Sequence, residues 1–168
     1  GIYYPRKTMG FKRIGNWSKA NKAAKIVGKL FKAKQKKFLD QVAEEGLRLL
    51  NYHIDENDLP WRPLSPAYAE QKSAEGNDGN IYIRTGKLQD SLTTAEAANG
   101  AGRFIGILNG AQSDEGDSLA DIASIHEFGA LSVGIYERPL FRPTMEELAL
   151  WASKENPARD IKNELKNA

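Results

Sequence analysis

The sequence predicts a chain of mixed helix and strand, with helices at both ends and three short strands between them. Three observations predict it. Apolar residues from Ser18 to Tyr52 recur at helical spacing. Three short β-rich runs follow: IYIR (81–84), RFIGILNG (103–110) and VGIYE (133–137). Helical spacing then returns in MEELALWASKE, from Met145 onward.

GIYYPRKTMGFKRIGNW (1–17) mixes aromatics, two basic pairs, three glycines and a proline with no sustained period, and reads as an extended arm. From Ser18, at about 100° per residue, Lys22, Lys25, Lys29, Lys32 and Lys36 fall on one narrow stripe. Ile26, Val27, Leu30, Phe31 and Phe38 occupy much of the other side, although Lys34 and Lys37 intrude. The pattern continues through Leu39, Val42, Gly46, Leu49 and Leu50, giving a helix of roughly 50 Å. Lys34–Lys37, where the apolar stripe is interrupted, is where it could break.

DENDLPWRPLSPAYAEQK (55–72) places three prolines in seven residues, which forbids a regular helix or central strand there. Tyr68 to Ser73 suits a short helix, and AEGNDGN (74–80) a loop. After the first strand, Thr85 stands where it would cap a short helix carrying Leu88 and Leu92. After the second, AQSDEGDSLAD (111–121) is an acidic, flexible loop whose Asp121 would cap the turn Ile122–Phe128, with Gly129 as its left-handed stop. The last helix should open at Pro143 or Thr144. Thr144-x-x-Glu147 fits a capping box, and Met145, Leu148, Ala149 and Ala152 would form the buried face. From Asn156 the chain is polar and expected to fray. There is no internal repeat. The organisation is thus a basic N-terminal arm with the start of the long helix (1–37), one domain (38–155) and a polar tail (156–168).

A chain of 168 residues can bury roughly 70% of its unfolded surface in one domain, without disulfides or metal. With no cysteine, zinc–thiolate sites and thiol catalysis are excluded. No apolar run approaches the roughly 18 residues of a transmembrane helix, and the N-terminus lacks the apolar stretch of a signal peptide. The net charge of +2 hides an asymmetry. Twelve of the twenty-four Lys and Arg precede the first acid, Asp40, so 1–39 carries +12, while twelve bases against twenty-two acids leave 40–168 at −10. A basic arm on an acidic body suggests a partner.

IASIHEFGA (122–130) holds the one arrangement that resembles chemistry, His126 beside Glu127. A metalloprotease helix needs H-E-x-x-H, because residues four apart share a face; here that position is Ala130. His53, the other histidine, lies in a separate segment. The pair reads as structural, with Ile122, Ile125 and His126 on one face and the ring hydrogen-bonded to nearby backbone. The acidic loop lacks EF-hand spacing. The glycines match no phosphate-binding loop, and Ser65 and Ser91 sit in no nucleophile elbow. No catalytic residue, metal or cofactor is expected. The lysine stripe suits contact with nucleic acid or an acidic protein surface, but without a helix-turn-helix or RNP motif it would not read sequence.

A long helix, then WRPLSPAYAEQK, IYIRTGKLQDSL, IHEFGA and ERPLFRPT opening a last helix, in that order, resembles the virion-morphogenesis and tail-completion family of tailed phages. The resemblance covers about residues 38–152. It rests on Trp61, Thr85, Gly86, Leu88, His126, Glu127, Phe128, Gly129, Arg138, Pro139 and Pro143. The arm 1–37 and the loop 112–120 fall outside it and leave the family member open. It implies an α+β domain with a small antiparallel sheet packed on the long helix, and no catalytic residues. It also implies a homo-oligomeric ring, usually a hexamer, at the head–tail junction of the virion. Its partners there would be neck, connector and tail-tube proteins, and it would be made in the host cytoplasm. The alternatives are a connector (adaptor or stopper) protein, a non-specific nucleic-acid-binding protein using the arm, and a hydrolase using Glu127 or the acidic loop with a metal.

Overall fold

The computed structural model describes residues 17–76, 80–83, 85–155 and 162–163. The arm before residue 17 and nearly all of the tail 156–168 lie outside the described residues. The fold is α+β. Helix α1 (Trp17–Glu56) is followed by α2 (Pro66–Ala74), α3 (Lys87–Asp90), β1 (Leu92–Glu96), β2 (Arg103–Ile107), α4 (Leu119–Phe128), a 3-10 turn (Leu131–Val133) and α5 (Phe141–Lys154).

Helix α1 runs 40 residues without interruption, passing straight through Lys34–Lys37. Lysine interrupts the apolar stripe but is itself a good helix former, so the backbone continues. Its C-terminal half carries the core. Ala43, Leu49, Leu50 and Ile54 are buried, and α5, β1 and β2 pack along it. Arg103 on β2 ties the helix to the sheet, reaching Asp40 at 2.6 Å with its side chain only 6% exposed. Strands β1 and β2 form an antiparallel hairpin in which Leu92 faces Ile107 and Glu96 faces Arg103.

Gly46 explains how closely α1 approaches its neighbours. A Cβ there would lie 2.7 Å from Ile105 Cδ1 and 2.9 Å from Leu148 Cδ2. Gly46→Val should therefore lower stability by about 1–3 kcal/mol through overpacking. Gly46→Ala should cost less, because the obstructing atoms are flexible side-chain ends. A urea midpoint unchanged in the valine variant would refute this packing.

Several expectations are corrected. The only sheet among the described residues has two strands, β1 and β2. Residues 81–83 are a bend rather than a strand, with Arg84 outside the described residues. Asn80 Oδ1 accepts the amides of Tyr82 and Ile83, replacing ladder bonds. VGIYE is likewise not a strand: the 3-10 turn and a lone Ala130–Ile135 bridge take its place. Leu92 opens β1 instead of closing the preceding helix. Thr85 does not cap α3, which begins after Gly86 at φ 77°. Ser118, not Asp121, caps α4, accepting the Asp121 amide at 3.2 Å. The acidic loop is folded on itself, with Ser113 Oγ accepting from Glu115 and Asp117. Helix α5 opens at Phe141, earlier than expected, and has no Thr144–Glu147 capping box. Its buried side is Thr144 and Leu148, while Ala149 is exposed.

Candidate functional site

Four motifs far apart in sequence converge on one knot, and Glu127 is its centre. An α-helix begins with amides that no earlier carbonyl of the helix can accept from. At the start of α5 the Glu127 carboxylate takes them over. Oε2 accepts from Leu140 at 2.7 Å and Phe141 at 2.9 Å, and Oε1 accepts from Arg142 at 2.9 Å. The next residue is Pro143, which has no N–H to satisfy. The next amide, of Thr144, bonds back to Leu140 O. Every early donor of α5 is thus accounted for, and the carboxylate sits where the helix dipole favours a negative charge. Glu127 is 6% exposed. Three of the carboxylate's roughly four lone-pair sites are thus occupied by backbone amides.

Around it, two aromatics and an arginine hold backbone. Trp61 donates its indole N–H to Pro139 O at 2.7 Å. Tyr82 donates its hydroxyl to Arg138 O. Arg138 donates Nε to Arg62 O at 3.0 Å, and its own amide reaches His126 O at 2.7 Å. WRPLSP, the IYI bend, IHEFG and ERPLFRP are therefore laced together mainly through carbonyls. The rings of Trp61, Tyr82 and His126 line up, with centroids 4.7 Å and 5.0 Å apart. Burial, reinforced by nearby Glu127, raises the Tyr82 phenol above its ordinary range, which keeps it a neutral donor.

His126 is part of this stack, and its ring does not bond backbone as expected: buried Nδ1 has no hydrogen-bond partner among the described residues. Burial, followed by the charges of Arg138 and Lys72, pushes its pKa below 6.5. The sign follows. The unfolded chain takes up this proton at a higher pH than the folded one, so the contribution to stability is full above 6.5 and declines as pH falls below it. His126→Phe, which keeps a ring against Tyr82, should lose less stability than the wild type between about pH 7.5 and about pH 5. Equal losses in urea titrations at both pH values would refute the assignment.

His53 lies elsewhere. It is buried on α1, with Nδ1 2.7 Å from Asp58 and Nε2 3.2 Å from Glu147, the latter off the angle of a hydrogen bond. Among the described residues no group of three His, Asp or Glu side chains is placed to hold a metal ion, and no helix is long and apolar enough to cross a membrane.

Beside the knot lies a cleft of about 1010 Å³. Ile122, Ile125 and His126 line it on one face of α4, as the spacing predicted, and Asp114, Glu115 and Arg62 line it too. Arg62 lies 3.6 Å above the Tyr136 ring. Buried Lys72 donates to Asn80 O within the same wall. Sequence reasoning missed Lys72, Tyr82 and this cleft. Of the lysine stripe, Lys36 is paired with Glu96 at 3.1 Å, whereas Lys22, Lys25, Lys29 and Lys32 are exposed and form no ion pair with a described residue.

Over 121 residues the chain is 24% identical to uncharacterized protein MJ0331 of Methanocaldococcus jannaschii, a match covering 67% of this chain and 83% of that protein. No family model matches the chain, and no solved structure matches it.

Proposed function

We propose that this chain is a non-enzymatic structural subunit of a tailed-phage virion, a tail-completion or tail-terminator protein of the neck. The observation that carries the reading is the Glu127 knot. Trp61, Tyr82, Glu127 and Arg138, one from each of four motifs of the family resemblance, bind backbone there, and the one acid beside a histidine is committed to three amides. A polypeptide that fixes its loops so firmly is suited to present a rigid surface to copies of itself. The acidic bodies pack side by side into a ring, and the basic arm reaches a neighbouring subunit, the tail tube or DNA.

The test is electron microscopy of the purified protein and of labelled virions. Rings in solution, or label at the head–tail junction, are expected; absence of the protein from purified virions would refute the reading. Deleting residues 1–37 should leave a folded, soluble body that incorporates poorly into tails. Incorporation equal to that of the full chain would make the arm a solvated extension. Binding to DNA by the monomer, weakening steeply with salt, would favour the nucleic-acid alternative.

A further inference from the structure

We propose that Asn109 is a site of spontaneous covalent modification, where the folded chain converts its own side-chain amide into an aspartyl or isoaspartyl carboxylate. The chain holds two Asn-Gly dipeptides, Asn99-Gly100 and Asn109-Gly110. In such a pair the glycine nitrogen can attack the side-chain carbonyl carbon of the asparagine, because glycine brings no Cβ to crowd the approach. A bond forms between that nitrogen and Cγ, the bond from Cγ to Nδ2 breaks, and ammonia leaves with the amide proton. Water then opens the five-membered imide. Cleavage between the nitrogen and Cγ gives aspartate. Cleavage at the main-chain carbonyl gives isoaspartate, in which the backbone runs through the side chain. Water is the only co-reactant, and nothing is oxidised or reduced.

The fold separates two sites that the dipeptide alone makes equal. Both are exposed, so access of water does not distinguish them. At the tip of the β1–β2 hairpin the reacting groups are already engaged. The Gly100 amide donates to Ala97 O at 2.8 Å, and Asn99 Oδ1 accepts the Ala101 amide at 3.0 Å. The Ala97 amide in turn donates to Gly102 O at 3.1 Å, so the tip is closed by the strands beneath it. Attack at Asn99 has to break both bonds of the reacting groups. Asn109-Gly110 lies just beyond β2, in the turn from Leu108 to Ala111. Neither the Gly110 amide nor the Asn109 side chain has a hydrogen-bond partner among the described residues. Gly110 has φ 95° and nothing within 4 Å of its Cβ position, so the peptide has room to rotate toward Cγ. That rotation opens one bond, from the Ala111 amide to Leu108 O at 3.2 Å. One hydrogen bond fewer to break corresponds to a rate about fivefold higher. The carbonyl of Ala111 accepts the Leu119 amide at 3.0 Å, so the product sets a new negative charge at the base of the acidic loop.

The test follows the full chain through storage in warm, mildly alkaline buffer, by peptide mapping and mass spectrometry. The peptide carrying Asn109 is expected to gain the mass of exchanging NH2 for OH at least about fivefold faster than the peptide carrying Asn99. It should yield two products of equal mass, aspartate and isoaspartate. The same chain unfolded in urea should react at the two sites at equal rates, which assigns the difference to the fold. Ion-exchange chromatography gives a second readout. Asn109→Ser should remove most of the acidic species that accumulates in the folded protein, and Asn99→Ser should leave it. Equal rates in the folded chain, faster reaction at Asn99, or a difference that persists in urea would each overturn the inference. So would a folded chain in which neither site reacts while the unfolded chain does.

Discussion

Glu127→Ala is expected to lower stability by about 3–5 kcal/mol, the larger part of a small domain's margin. The substitution leaves the amides of Leu140, Phe141 and Arg142 without their acceptor, at the end of a helix packed on the core. Each hydrogen bond to a charged group contributes about 1.5–3 kcal/mol, and water entering at Arg142 recovers part of it. Glu127→Gln separates charge from shape. Its carbonyl oxygen can accept two of the amides, while its NH2 would face the third, so an intermediate loss of about 1–3 kcal/mol is expected. The check is urea unfolding of the three proteins, followed by helical circular dichroism. A loss below about 1 kcal/mol for the alanine protein would mean that the first turn of α5 is held by something else.

This clamp also marks where the sequence stopped being readable. The long helix was legible because its pattern is local: Leu39, Val42, Gly46, Leu49 and Leu50 repeat at 3.6-residue spacing, and all lie on α1. Strand β2 was legible for the same reason. The residues 81–83 and 133–137 were not, because β-rich composition describes residues that suit half-buried extended chain, paired or not. What decides pairing is who takes the backbone hydrogen bonds. At Tyr82 and Ile83 it is the Asn80 side chain, and at Arg138 it is His126 O. The Thr144–Glu147 box failed for a related reason. A capping box is a local signal, and here an acceptor thirteen to fifteen residues upstream displaced it, leaving Thr144 to bond back to Leu140 O at 2.6 Å. That His126 and Glu127 lack the spacing of a metal-ligand helix was readable from the sequence. Their actual roles depend on contacts between α4 and α5 that no spacing rule contains.

Gly129→Val should be at least as damaging as loss of the clamp, at more than about 3 kcal/mol, for two reasons that add. Gly129 was expected to stop its helix in a left-handed conformation. It does stop α4, with its amide bonded to Ile125 O at 2.8 Å, but at φ 73° and ψ 171°. That is positive φ with extended ψ, a region used almost only by glycine. Space is refused as well. A Cβ at this position would lie 2.8 Å from Glu137 N and 3.1 Å from Ile135 O. Those are backbone atoms, held by the paired bonds between Ala130 and Ile135 and by the Arg138 amide on His126 O. They cannot withdraw without opening the turn that leads into the Glu127 clamp. Gly134 supplies the control. It has nearly the same φ, 77°, but lies in the left-handed helical region with nothing within 4 Å of its Cβ position. Gly134→Ala should therefore cost only about 1–2 kcal/mol, the left-handed penalty alone. Gly129→Ala should cost clearly more, and Gly129→Val the most. Thermal and urea unfolding of the three variants would decide it, since equal losses for the two alanine proteins would remove the backbone contact as the reason for glycine at 129.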